Sequence, residues 1–459
     1  MPSPFQGIDI ASSALRSFQR ALDVTGNNIS NVNTPGYSRQ TVDFSTITPT
    51  SFYGLNSVQS LGQGVGISSV NRIQDAFLAA RKMASASEVG KTATYSDNLG
   101  QVESVLNETT GAGISTALDG FFNSWSALAA NPNDTALQTQ VQQAGQTLAD
   151  RVRGAYSQLA DLNVQQVNNV NSTFQSIDTI TKKIGDLNAA IRGKQAAGEQ
   201  PNDLMDQRDQ AVQDLSKLVD IHTYTMSDGS VAVYSNQLTL VDGSGSKPYP
   251  KNFDPTTMTV SDANGTYDVH GGQLGGLFQS MNATKGYQTQ LDNVANNLRT
   301  QVNALHQSGT NSLGNTGINF FNDSNPQTGA TDFDLDPAVK ANVKAISAGV
   351  SGVAGDGALA SAISQLRNTP VAALNNQSLT DYYTGVVGQI GTDSSNAQTA
   401  VNTQTSVDTQ IQNQISSVSG VSLDDEMANM LKFQRSYQAA ARALSVFDQT
   451  TQDLINLIR

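Results

Sequence analysis

The run from about residue 135 to 195 restricts most what this chain can become. Leu148, Val152, Leu159, Leu162, Val167, Val170, Phe174, Ile177, Ile184, Leu187 and Ile191 recur at near-heptad spacing, with Gln, Asn, Ser and Thr between them. Spacing of that kind is helical. At ~1.5 Å per residue, some sixty residues make a rod of roughly 90 Å, longer than a compact domain is wide. An elongated, mainly α helical bundle is therefore expected. Gly193 to Pro201 closes the run, and PNDLMDQRDQAVQDLSKLV, residues 201–219, is expected to return as its antiparallel partner. Asp203, Asp206, Arg208 and Asp209 in that stretch read as solvated helix caps with one i, i+3 or i+4 ion pair rather than as an acid/base group.

The rest of the chain is arranged around these helices. Residues 41–60 are Ser/Thr-rich and read as irregular or as short strands, and Gly62, Gly64 and Gly66 mark a strand, since no GK[ST] follows to make a phosphate loop. Leu99, Val102, Val105 and Leu106 carry a helical pattern, and so do Ile114, Leu118, Phe121, Phe122, Trp125 and Leu128, stopped at Asn131-Pro132. Trp125 reads as core, and Asp134 as the cap of the next helix. Near residue 221 the period becomes alternating, with strands expected at 231–234, 237–241, 258–260 and 266–269. Residues 222–282 and 307–380 are expected to form a β-rich or irregular inserted outer domain, the second part with short helices at 338–348 and 357–367. Residues 41–221, 283–306 and 381–421 are expected to form the helical rod.

Both ends of the chain carry narrow apolar seams. In residues 1–40, Ile8, Ala11, Leu15, Phe18, Leu22, Thr25, Ile29 and Val32 alternate in steps of three and four, while Ser12, Arg16, Gln19, Arg20 and Asp23 fall away. Pro35 ends the helix, and Thr34-Pro35-Gly36-Tyr37 reads as a turn with Gly free to take positive φ. Asn27, Asn28, Asn31 and Asn33 either cap a frayed last turn or meet a neighbouring chain. In residues 422–459, Ser422 caps a helix whose first turn holds Asp424, Asp425 and Glu426, the charge a helix N-terminus favours. Its seam is Leu423, Met430, Phe433, Tyr437, Ala440, Leu444, Phe447, Thr451, Leu454 and Ile458. Such stripes suit a coiled coil, so the two ends are expected to pair as terminal helices.

Charge and chemistry exclude several functions. Charged residues are only 14% of the chain, the net charge is −13 and no Lys/Arg cluster occurs, which disfavours nucleic acid and anionic lipid. Without cysteine there is no disulfide, thiolate zinc site or thiol nucleophile. MPSPFQGIDI has neither the basic nor the apolar region of a cleaved leader, and no stretch approaches eighteen apolar residues. The chain is expected to be soluble, and either cytosolic or exported without a cleaved signal. Asp332, Asp334 and Asp336 open like a calcium loop, but Pro337 and Val343 stand where Gly and Glu are required. His222, His270 and His306 belong to no catalytic motif and read as satisfied surface or edge histidines. Neither an enzyme nor a cofactor or metal site is expected.

LDVTGNNISNVNTPGYSRQ (22–40) closely resembles the N-terminal motif of the bacterial flagellar axial proteins, the family of rod, hook and hook-associated subunits. Residues 61–83 fit the same pattern at Val65, Arg72, Asp75, Leu78 and Arg81, and 422–459 fits along its whole length. The YSRQ ending, the 201–219 hairpin and the GVSLDDEMANML start resemble the hook-associated members most. The resemblance implies a secreted structural subunit, exported by the flagellar type III apparatus, forming a ring at the hook–filament junction. Its implied partners are further copies of itself, the hook protein, a second junction protein on the filament side, and a cytosolic export chaperone on residues 422–459. The expected assembly interface is Ile8, Leu15, Phe18, Leu22, Asn28, Ile29, Asn31, Pro35, Gly36 and Tyr37 with Leu423, Met430, Phe433, Tyr437, Leu444, Phe447, Leu454 and Ile458, ordered only in the assembly. Another axial subunit, a secreted enzyme acting on cell wall, and an adhesin are the alternatives.

Overall fold

The computed structural model describes residues 5–48, 50–53, 58–106, 113–323, 328–353 and 355–458, with the side chains of 50–53, 58–61, 457 and 458 outside the description. The fold is mainly α with small antiparallel sheets. In chain order come α1 (Gln6–Ser30), β1 (Gln40–Thr46), β2 (Thr50–Tyr53), β3 (Val58–Leu61), β4 (Val65–Arg72), α2 (Ala76–Leu106), α3 (Ile114–Ala130), α4 (Thr135–Ala196) and α5 (Asn202–Leu218). Seven short strands follow: β5 (His222–Thr225), β6 (Val231–Ser235), β7 (Leu238–Asp242), β8 (Gly245–Ser246), β9 (Asn252–Asp254), β10 (Thr259–Asp262) and β11 (Gly265–Asp268). The chain ends with α6 (Gly272–Ser308), β12 (Thr310–Asn311), α7 (Pro337–Ala341), β13 (Ser347–Gly349), α8 (Ala358–Gln365), α9 (Leu379–Ser419) and α10 (Leu423–Ile458).

Two compact units are formed, one from residues 1–88, 176–249 and 405–459, the other from 89–175 and 250–404. In the second, α3 is the centre of the core because its apolar positions fall on one face. Phe121, Phe122 and Trp125 are fully buried. Trp125 meets Phe320 at 5.2 Å and His306 at 6.1 Å between ring centres. Asp134 caps α4 by accepting the Ala136 N–H at 2.8 Å, as expected of it.

Three expectations need correction here. Residues 307–380 are not an outer insertion: Phe320, Phe321, Phe333, Ile346, Leu359, Ile363 and Leu374 are buried in the same core as α3. Their Gly- and Asn-rich background hid aromatic residues that bury regardless of local periodicity. Residues 222–282 do not form one β-domain either. They hold a four-stranded sheet, β5-β6-β7-β8, and a separate three-stranded sheet in the order β11-β10-β9, and α6 begins at Gly272. The run GGQLGG reads as a turn, yet it is helical, and glycine stands at 276 because α2 passes close by: a Cβ there would lie 2.5 Å from the Lys91 carbonyl oxygen. His306, finally, is in the core, not at an edge. Its Nδ1–H donates to the Ile318 carbonyl at 2.7 Å and its Nε2 accepts the Ser347 N–H at 3.0 Å. Burial pushes its pKa down to about 4.

The aspartates of the calcium-like triplet are used structurally. Asp332 pairs with the buried Arg299 at 3.0 Å, Asp334 with Arg153 at 3.2 Å, and Asp336 caps α7.

In the first unit, the last turns of α4 reverse through residues 197–201 into α5. Arg208 of α5 reaches back to Asn188 at 3.4 Å and to the Gly229 carbonyl at 2.8 Å. Asn188 in turn exchanges two hydrogen bonds with the backbone of Val231. The β5–β8 sheet is thereby tied to the helical hairpin. β1 and β4 form an antiparallel ribbon with a register shift at Asp43/Phe44.

Candidate assembly interface

The terminal helices pair as the two seams imply, and they run antiparallel. Asn28 of α1 donates to Glu426 of α10 at 3.1 Å, while at the far end Gly7 lies so close to Phe447 that a Cβ on it would meet the ring at 2.7 Å. Steps of seven residues carry this register between the two anchors. Gly7, Ala14, Ala21 and Asn28 stand level with Phe447, Ala440, Phe433 and Glu426. On α10 this line takes in Phe433, Ala440 and Phe447, which the sequence marks as seam, and Glu426, which it does not. The α1 half is displaced by one residue.

That displacement has a steric cause. The buried residues of α1 are Ala11, Ser13, Ser17, Ala21, Val24, Thr25 and Asn28, small or polar side chains that let neighbouring backbone come near. Ser17 donates to the Val65 carbonyl of β4 at 3.1 Å, so α1 lies against the β1–β4 ribbon as well as α10. The large residues Ile8, Leu15, Phe18, Leu22 and Ile29 stand beside this line, only half-buried. Phe44 of β1 bridges the helices, 5.9 Å from Phe18 and 6.0 Å from Phe433 between ring centres.

The NNISNVNTPGYSRQ segment becomes a buried polar joint at the root of the pair. Pro35 and Gly36 are exposed and form the expected turn, with Gly36 at φ +79° and the Tyr37 N–H donating to the Thr34 carbonyl at 3.2 Å. Asn28, 1% exposed, accepts the Gln40 N–H at 2.9 Å and the Tyr37 hydroxyl at 2.8 Å, and donates to the Gln40 carbonyl and to Glu426. Neither a capping role nor a meeting with a second chain describes it, because every valence is spent within this molecule. Asn31 stays at the surface, bonded to Asn27. Glu426, 2% exposed, is held on its other oxygen by Arg39 at 2.7 Å.

A second cluster anchors the ribbon to α5. Arg72 donates to Asp206 at 2.6 Å and to Asp209 at 2.9 Å, and Asp206 also accepts the Ser38 N–H at 3.2 Å. Burial pushes the Asp206 pKa up, against the opposing pull of Arg72 and Ser38. Burial pushes Tyr37 up as well, reinforced by Asp203, Asp206 and Glu426. The expectation of solvated caps on α5 fails for Asp206 and Arg208, which are 7% and 3% exposed. Asp206 finds its partners Ser38 and Arg72 more than a hundred residues away, and Arg208 finds Asn188 and the Gly229 carbonyl on other elements, so neither leaves a local pattern.

What remains uncovered is apolar. Met430, Phe433, Tyr437 and Leu444 are half-buried, whereas Leu423, Phe447 and Leu454 are 46%, 39% and 45% exposed. Ile458 lies outside the described side chains. Met427, Leu431, Val446 and Ile455, which the sequence reading passed over, are each more than half exposed. The seam rule marks the residues that α1 covers and is silent on an apolar residue facing away. Arg39 and Glu426 were likewise missed as partners, being 387 residues apart.

Known proteins resemble this chain in sequence and in fold. Residues 99–321 match the family described as flagellar hook-associated protein FlgK helical domain. Residues 8–37 match the flagella basal body rod protein family, and 412–457 match the flagellar basal body rod FlgEFG protein C-terminal family. Flagellar hook-associated protein 1 of Bacillus subtilis is 29% identical over 502 residues, covering 99% of both chains. The proteins of that name from Escherichia coli and Salmonella typhimurium are 26% and 25% identical, each covering 98% of this chain and 99% of the relative. The structure of the flagellar hook junction protein FlgK from Burkholderia pseudomallei superposes with a TM-score of 0.63 at 19% identity, covering 74% of this chain and all of that one, which shows a shared fold. Matched to rod-protein families at both ends and to the hook-associated helical domain between them, and aligned end to end with three bacterial relatives, this chain belongs to the flagellar hook-associated protein 1 family.

Proposed function

We infer that this chain is a structural subunit of the bacterial flagellum which forms a ring at the junction of hook and filament and is needed for the filament to assemble. The observation that carries this reading is the pairing of α1 with α10 into a coiled coil that leaves large apolar side chains exposed along its outer faces. A helix pair of that kind, rooted in a buried polar joint, is built to be packed on by neighbours. The hook-associated helical domain over 99–321 supports the junction role over that of a hook or rod subunit. A place in an external structure supports export through the flagellar type III apparatus. The exposed apolar residues of α10 suit the cytosolic chaperone that would hold residues 422–459 before export. The hook protein on one side, and a second junction protein with the filament on the other, complete the set of partners.

The experiment is a deletion. Cells lacking this protein should carry hooks without filaments and shed flagellin into the medium. Normal filaments in such cells would refute the reading.

A further inference from the structure

The outer faces of the α1–α10 pair carry a charge pattern that the apolar seam does not explain. Arg16 and Arg20 on α1, and Lys432, Arg435 and Arg442 on α10, are all exposed, and none has an ion-pair partner among the described residues. The antiparallel register places them within one band at the middle of the pair. Asp23, Asp424 and Asp425 lie on the side of the root, Asp9, Asp448 and Asp453 on the side of the tip, all exposed and likewise without an ion-pair partner among the described residues. On α10 alone Asp424, Arg435, Arg442 and Asp453 share one helical face, and on α1 Asp9, Arg16 and Asp23 are spaced by seven. In a chain with so few charges, both helices repeat the order acid, base, acid.

We propose that this pattern sets the axial offset between neighbouring copies of the chain, which pack side by side with one pair displaced along the other by about ten residues, or ~15 Å, so that the copies ringing the axis climb as a helical turn rather than lie level. The proposal rests on the reading that the chain assembles with copies of itself. Two copies at the same level would face cation with cation. Displaced, the basic band of the first meets the acidic tip of the second, while the band of the second meets the acidic root of the first. One displacement satisfies both contacts. Exposed Met427, Leu431 and Val446 lie among these charges on the same face of α10, so the surface that is charge-coded for level is also the one with apolar area to bury.

Charge reversal with compensation tests this in cells. Arg435→Glu with Arg442→Glu reverses the band, and Asp424→Lys with Asp453→Lys reverses the acid of the same face at each end. Each double variant should reduce filaments per cell by about tenfold or more, as like charges juxtaposed across an interface do. The four changes combined should restore filaments to within about twofold of the parent, since reversal of both signs preserves complementarity. Unchanged melting temperatures of the purified full chains show that folding is intact, the positions being exposed and unpaired. Normal filaments in either double variant, or no rescue in the combination, would overturn the proposal. A band variant that stays inside the cell would overturn it too, because the band would then be read by the export machinery. None of these results bears on the deletion experiment, which tests the junction role separately.

Discussion

Asn28 shows how much one side chain can hold together. Its amide joins α1 to the strand that follows and to Glu426 of α10, in a place where neither residue sees water. Asn28→Asp keeps the size but removes the two N–H donors and sets a second carboxylate against Glu426. The expected cost is on the order of 3 kcal/mol, the scale of a buried charge that loses its partner. Chemical denaturation of the two purified chains would measure it, and an unaltered midpoint would contradict the assignment. His306 supplies a pH-dependent counterpart. The folded protein keeps its imidazole neutral down to about pH 4, whereas an unburied histidine takes its proton near 6.5. The unfolded chain therefore binds the extra proton between these values. The contribution is complete above pH 6.5 and disappears as pH falls toward 4. A difference of this size corresponds to roughly 3 kcal/mol. His306→Gln should lower stability at pH 7 and flatten the slope between pH 6.5 and 4 in paired denaturation curves; equal slopes would exclude the mechanism.

At the scale of elements, the period of apolar residues located α4, whose 62 residues repeat one pattern, but missed the first turns of α6 from Gly272. The face presented by a helix was less legible. In α1 the eye follows Ile8, Leu15, Phe18 and Leu22, but close approach selects Ala21 and Ser17, and size rather than hydrophobicity decides what reaches the middle of the contact. Gly276 makes the same point in α6 and gives a paired test. Gly276→Ala forces a methyl group toward the Lys91 carbonyl and the Thr94 side chain, 2.9 Å away, and should cost about 1–3 kcal/mol through overpacking. Gly286→Ala, ten residues on in the same helix, meets open space and should gain up to about 1 kcal/mol from helix propensity. Melting curves that moved in the same direction for both would show that α2 and α6 are not in close contact.

For the whole molecule, the assembly surface is expected to be ordered by its neighbours. Beyond the joint at Asn28 and Glu426, toward the tip of the pair, amide protons of α1 and α10 should exchange rapidly with deuterium in the free chain and slowly in isolated flagella, and protection of the tip in the free chain would count against this. A chain shortened to residues 41–421 should fail to support filaments in the deletion strain. The sequence disclosed the ends as partners because both carry seams. It could not disclose the joint beneath them, since Arg39, Arg72, Asp206 and Glu426 come from four separate segments and meet only once the backbone has folded.

The hydrogen bond from Asn28 to Glu426 closes a span of 398 residues. Whichever end of the polypeptide is delivered first must wait for nearly all the rest before its mate arrives. A product cut short by a nonsense codon, or nicked and stripped of its last helix, has nothing to set against Ala14 and Ala21. Closure of this clasp therefore requires both ends of the same chain to be present and intact.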